Sequence, residues 1–367
     1  MLISTMKPRP FLTLFFLVLL LFSMDAQEVS LEVETFNAPP PSTLSEEQIL
    51  SGYPRINRDF SGLDEAVRGL PRAATIEETV EQLARLAGDE WERCRAVYIW
   101  MTTNIAYDTR AFFSGSRSAT SPGGVFSSGK SVCQGYSELF VSLAEGLGLQ
   151  AMLVSGYSKG YGYRSGQGFS RTNHAWNSVF LDDTWHLFDS TWGAGHVNGR
   201  SFVRQYDEFW FDPHPELFLK THLSEDPSWQ LVSAPITLLD YVNSRYIPSY
   251  TFEGLNALAV EDQRILDGLS LSGELADFYS FEGYEIELLN VPLGKTLKAG
   301  EPVEISIRAP GVSEGAFINN SNFTFFEKEG DIFTGTITPQ RGNLRLGLKI
   351  HYKNKTSFWG VAEYQVR

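Results

Sequence analysis

Cysteine is scarce: only Cys94 and Cys133 occur among 367 residues. Two thiols exclude a disulfide-built scaffold and a four-thiolate zinc or iron–sulfur site, so thiol chemistry must use them singly or as one pair. Basic residues are also outnumbered. Thirty Lys and Arg against 44 Asp and Glu leave a net charge of -14, which repels phosphate backbones and argues against nucleic acid as a partner. Long apolar runs are missing as well. The run FLTLFFLVLLLF, residues 11 to 22, falls short of the roughly 20 residues that a membrane-spanning helix needs. What remains is a globular composition, 43% hydrophobic and 13% aromatic with 32 Gly and 17 Pro. At about 150 residues per domain, the length suggests two domains.

The apolar run lies behind Lys7 and Arg9 and ahead of SMDAQ, where the small Ala26 offers a cleavage position. Residues 1–26 therefore read as a secretory signal peptide. The mature chain is expected outside the cytoplasm, in the periplasm, at the cell surface or beyond it, with no membrane span after cleavage. No cysteine follows the run, so lipid attachment there is not expected.

Residues 27 to about 70 hold APPPSTLSEE and further Gly, Pro and Ser breaks, and read as a linker or a strap on the next domain. Helical periodicity begins at Thr75, where Thr75 and Glu78 form a capping-box signature ahead of Ile76, Val80, Leu83, Ala84 and Ala87. Asp89 then caps a second helix. Its stripe of Trp91, Cys94, Tyr98, Met101 and Ile105 makes Cys94 a core thiol. A Gly- and Ser-rich loop, 114 to 131, leads into SVCQGYSELFVSLAEGLG, with Tyr136, Leu139, Phe140, Leu143 and Leu147 at helical spacing and Ser131 as the expected N-cap. Strands follow at 149 to 157, HAWNSVFLD and TWHLFDS, the last two divided by the turn Asp182-Asp183. Past about residue 240 the runs YEIELLNV, VEISI, FTFFE and LRLGLKIHY are strand-like. The expected organisation is an α+β domain of helices packed on an antiparallel sheet over 71–240, a connecting segment over 241–282, and an Ig-like β-sandwich over 283–367.

Cys133 falls in the first turn of its helix, where free amides and the helix dipole stabilise a thiolate. A nucleophile needs a base, and His174 opens a strand after the flexible loop SKGYGYRSGQGFSRTN. Register supplies the group that orients the imidazole. With Asp182 and Asp183 as a two-residue turn, Leu181 pairs with Thr184 and Asp189 lies opposite Trp176. His174 and Asp189 then become diagonal neighbours on one face, roughly 7 to 8 Å apart at the backbone. A three-residue loop would put them on opposite faces. Each residue alone has a plainer reading: Cys133 as an inert thiol or a disulfide partner of Cys94, His174 as a hydrogen-bonded core histidine, Asp189 as a turn cap. Only the three together point to catalysis.

The strings SVCQGYSELF, SGYSKG, NHAWN and FDSTWGAG, in this order and spacing, resemble the transglutaminase-like superfamily, especially its kyphoscoliosis-peptidase-like branch. The later stretch FWFDPHPELFLKTHLSEDPSWQL is similar to the same branch, so the resemblance covers about residues 75 to 240. It implies a papain-like core with Cys133 as nucleophile, His174 as base and Asp189 as orienting carboxylate. The implied chemistry is thiol acyl transfer on peptide or carboxamide substrates, as a peptidase, a deamidase or a transglutaminase-type enzyme. Protein or peptide substrates are expected, and peptidoglycan peptides are within reach of an exported enzyme. One departure is Asp189-Ser190-Thr191-Trp192, where the family often has Asp-Pro-Thr-Trp. The calcium sites of animal transglutaminases are not recognisable, so no cofactor is expected. The Cys133 amide and the Tyr107 side chain are the candidate oxyanion donors. Two rivals stand beside this reading. One is a catalytically silent binding or scaffold module of the same fold. The other is a metal hydrolase using Asp212, His214 and His222, for which no ligand spacing speaks; His222 is expected to pack structurally.

Overall fold

Helices begin where side chains can satisfy their free amides. The structure, a computed structural model, describes residues 56–367 apart from 57, 261, 273 and 282. The leader read at residues 1–26 and the first part of the strap lie outside the described residues. The end of the strap is helical: α1 (Ser61–Arg68) precedes α2 (Ile76–Ala84) and α3 (Glu90–Asn104). Thr75 accepts the Glu78 amide at the start of α2, and Asp89 accepts the Glu92 amide at the start of α3. From α3 the buried Arg95 donates to both oxygens of Asp64 at 2.8 and 2.7 Å, a two-pronged ion pair that ties α1 to the domain. Cys94 lies in the core, as its stripe requires.

Two short helices, α4 (Thr109–Ser114) and α5 (Pro122–Ser128), fill the Gly- and Ser-rich loop ahead of α6 (Cys133–Gly146). The N-cap of α6 is Val132, not Ser131. Ser131 is committed elsewhere: β1 (Ala106–Tyr107) pairs in parallel with β2 (Lys130–Ser131), and the buried Ser131 hydroxyl donates to the Ala119 carbonyl. Cys133 therefore becomes the first residue of the helix.

Helix α6 packs on a four-stranded antiparallel sheet of order β5-β4-β3-β8. Its strands are β3 (Gln150–Ser158), β4 (His174–Leu181), β5 (Thr184–Phe188) and, after the hairpin β6 (Gly195–Asn198) and β7 (Ser201–Arg204), β8 (His222–Ser224). Tyr136, Leu139, Phe140 and Leu143 of α6 share a buried cluster with Trp176, Val179 and Leu187 of the sheet. Asp182 and Asp183 take φ of 46° and 63°, the left-handed geometry of a two-residue hairpin turn. Leu181 accordingly pairs with Thr184, and Asn177 with Phe188.

Helices α7 (Ser190–Gly193), α8 (Pro215–Phe218) and α9 (Leu238–Asn243) lie beside this sheet, and α10 (Ser249–Ala257) and α11 (Asp262–Ser272) occupy the span read as connecting. Residues 277–366 form two largely antiparallel sheets of four and six strands. Leu344, Leu346, Leu348 and Ile350 alternate inward, joining Ile305, Ile307, Phe317 and Phe333. The fold is therefore α+β, helices on an antiparallel sheet followed by a β-rich region. No helix among the described residues is long and apolar enough to cross a membrane.

Gly156 pairs with His174 on one side and Ser224 on the other. A Cβ there would collide with the Leu223 carbonyl and the Trp176 ring, whereas the exposed Gly62 of α1 has nothing within 4 Å. Gly156→Ala is expected to lower stability by about 2 kcal/mol in urea unfolding. Gly62→Ala should raise it by about 0.5 kcal/mol.

Candidate active site

Three elements deliver three side chains to one place. Cys133 opens α6, His174 opens β4, and Asp189 follows β5 as the N-cap of α7. The Cys133 sulfur lies beside the His174 ring and the Ala175 amide, both of which favour its thiolate. His174 Nε2 lies 2.6 Å from Asp189 Oδ2. Nδ1 is thus the ring nitrogen left for the sulfur. Asp189 Oδ1 accepts the Thr191 and Trp192 amides at 2.8 and 2.9 Å, so the helix that the carboxylate caps also fixes its orientation. Asp189 and His174 are buried, Cys133 is partly exposed, and both cysteines are free, which removes the disulfide reading.

Burial opposes charge at every member of this group, and the partners outweigh it. Burial disfavours the His174 cation, yet Asp189 and Cys133 lift its pKa to about 10. Burial likewise resists the Cys133 thiolate, but His174 and the Ala175 amide bring the thiol below its ordinary value. Asp189 is held well below the usual carboxylate range by His174 and His222 against its own desolvation. The arrangement shifts the balance toward a thiolate–imidazolium pair.

His222 belongs to this network and does more than pack. Its Nε2 lies 3.1 Å from the same Asp189 Oδ2. An ionised carboxylate only accepts, so Nε2 carries the proton, and Nδ1 accepts from the Thr221 hydroxyl at 2.8 Å. The ring stacks on Phe218 with centroids 4.0 Å apart, beside Trp176, Trp192 and Trp210. Burial pushes its pKa down to about 4, which keeps it neutral. The Thr-His pair was its signal in the sequence; the pairing of β8 with β3 that brings it to Asp189 was not visible there.

The metal-hydrolase trio is not brought together. Asp212 meets His186 Nδ1 at 2.8 Å, His214 accepts the Glu216 amide in capping α8, and His222 faces Asp189. Among the described residues, the atoms that could share a cation are those of His174, Asp189 and His222, all within 4.8 Å of one another. Hydrogen bonds already join them.

A cleft of about 610 Å³ reaches His174, with Tyr107 and Trp192 among its walls. Burial, with the nearby charges of Cys133 and Asp189, raises the Tyr107 phenol above its ordinary pKa, so it remains an O–H donor.

Residues 77–190 match the family model of the transglutaminase-like superfamily. Over 200 residues the chain is 38% identical to a kyphoscoliosis peptidase of Mus musculus, a match covering 54% of this chain and 30% of that protein. The Homo sapiens kyphoscoliosis peptidase is 38% identical over 192 residues, covering 52% of this chain and 29% of its own length. Hillarin of Drosophila melanogaster is 26% identical over 301 residues, covering 72% and 35%. The chain thus carries a transglutaminase-like domain, and it spans less than half the length of these relatives.

The two histidines pull stability in opposite directions with pH. An unfolded His222 takes up a proton as pH falls below 6.5, while the folded one resists until about 4, so stability is lost across that interval. The contribution of His174 is complete below pH 6.5 and fades as pH rises toward 10. His222→Gln keeps a donor toward Asp189 without the titration. Between pH 6.5 and 4 the variant is expected to lose up to about 3 kcal/mol less than the parent in urea unfolding. Parallel pH profiles would contradict this.

Proposed function

We propose that this chain is an exported thiol acyl-transfer enzyme acting on protein or peptide substrates, with Cys133 as nucleophile, His174 as proton carrier and Asp189 as the carboxylate that orients it. One observation above all supports the reading: the imidazole beside the Cys133 sulfur is held from behind, at 2.6 Å, by a buried carboxylate. The leader pattern at residues 1–26 supports export.

The Cys133 thiolate attacks the carbonyl carbon of an amide, forming a C–S bond and a tetrahedral oxyanion. The first-turn amide of Cys133 and the Tyr107 hydroxyl are the donors proposed for that oxygen. As the intermediate collapses, the C–N bond breaks, and the leaving amine or ammonia takes the proton from His174 Nδ1. Asp189 keeps the ring in the tautomer that presents Nδ1 and stabilises the cation while it lasts. A water or an amine then gives a proton to His174 and attacks the thioester, releasing the thiolate. Water makes the reaction a peptide cleavage or a deamidation, and an amine makes it a cross-link.

The chain, incubated with peptide and carboxamide libraries with and without an added amine, is expected to give cleavage, ammonia or amine adducts by mass spectrometry, and Cys133→Ala to give none. Asp189→Asn should reduce kcat on the order of a thousandfold. Iodoacetamide should label Cys133 much faster than Cys94, whose thiol burial pushes far up. Activity should fall on the acid side as the thiolate is protonated, and on the alkaline side as His174 loses its proton toward pH 10. Slow, equal labelling of both cysteines and no Cys133-dependent product would leave a binding module instead.

A further inference from the structure

Two segments framing the cleft beside His174 have a charge that runs against the rest of the chain. The loop after β3, residues 159–173, carries Lys159, Arg164 and Arg171, and the hairpin at 195–204 carries Arg200 and Arg204; neither contains an Asp or a Glu. The whole chain has 44 acidic residues against 30 basic ones. No residue lining the cleft is acidic.

Some of these cations serve the fold. Lys159 is buried, and its ammonium donates to the Tyr241 carbonyl and the Ser244 hydroxyl at 2.7 and 2.8 Å. Arg204 donates to the carbonyls of Thr102 and Ile105. Arg171 is different: it is exposed, it lines the cleft, and it makes no ion pair with any described residue. Arg200 lies over the Phe113 ring at 4.9 Å, and Phe113 packs edge-on against Tyr161 of the cleft wall. A carboxylate entering the cleft therefore meets the exposed Arg171 guanidinium with no competing acid, while an ammonium group gives up hydration and finds no carboxylate in the lining.

We propose that this cleft selects acyl donors bearing carboxylates close to the reacting amide, that Arg171 receives those carboxylates, and that lysine-like amines are rejected. The proposal rests on the acyl-transfer reading for where the donor lies, and it adds a direction to it: water is favoured over a lysine ammonium as the second reactant. The carboxylates are those of Asp and Glu side chains or the terminal carboxylate of a peptide.

Binding to full-length Cys133→Ala tests this without turnover. Short peptides centred on Gln, blocked at both ends and flanked by Glu, Ser or Lys, are titrated by calorimetry, beside a Ser-flanked peptide with a free C-terminus. The Glu-flanked peptide is expected to bind about tenfold more tightly than the Lys-flanked one at low salt, with the difference shrinking as salt is added. Adding Arg171→Glu should reduce the advantage about fivefold and leave the unfolding temperature unchanged. Tight binding of the free C-terminus with weak binding of the blocked Glu peptide assigns the site to a terminal carboxylate, and the reverse assigns it to side chains. Equal affinities, a preference for Lys, no binding at all, or indifference to Arg171→Glu overturns the proposal. Turnover by the unsubstituted chain is read separately. Charge-selective binding without turnover removes the enzyme reading alone, and turnover without charge preference removes the selectivity alone.

Discussion

A carboxylate buried away from water is tolerated only where every lone pair it presents is answered. Asp189 meets that demand with two backbone amides on one oxygen and two histidines on the other. The remaining architecture follows from bringing those donors together. The turn between β4 and β5 brings His174 alongside, the start of α7 supplies the amides, and β8 carries His222 in from the far edge of the sheet. The Cys133 sulfur stands at the end of that chain of constraints, beside an imidazole that an anion holds and that favours its thiolate.

The site is also buttressed from a distance. The Asp189 amide donates to the Trp210 carbonyl at 3.0 Å, and the neighbouring Phe209 stacks on Phe252 of α10 with centroids 5.4 Å apart. A few residues further on, the Leu258 carbonyl accepts the amide of Leu288, in the first strand of the four-stranded C-terminal sheet. One continuous apolar core runs through all of these positions. The β-rich region is thereby coupled by packing to the loop that holds the carboxylate.

Local rules made much of this legible from the residues. The caps at Thr75 and Asp89 depend on side chains only a few positions from the amides they satisfy, and the meeting of His174 with Asp189 depends on one turn and a count of strand positions. What escaped the sequence depends on partners far along the chain. Ser131 has the chemistry of a cap, but pairing with Tyr107 and a bond to Ala119 claim it first. His222 looks like packing until β8 is laid beside β3. Helix α1 is amphipathic but only eight residues long, α10 and α11 arise in spans whose periodicity is weak, and burial of one face against neighbouring elements holds all three.

The Asp182-Asp183 turn is anchored from outside the hairpin, since Trp91 Nε1 donates to Asp182 Oδ2 at 2.7 Å. Because strand side chains alternate sides, gaining or losing a single residue at this bend would reverse the parity of everything between it and Asp189 and aim the carboxylate away from the imidazole. Length variation among descendants of this chain should therefore come in steps of two here, or be accompanied by a compensating bulge, while the loop from 159 to 173 leaves that count untouched whatever its length.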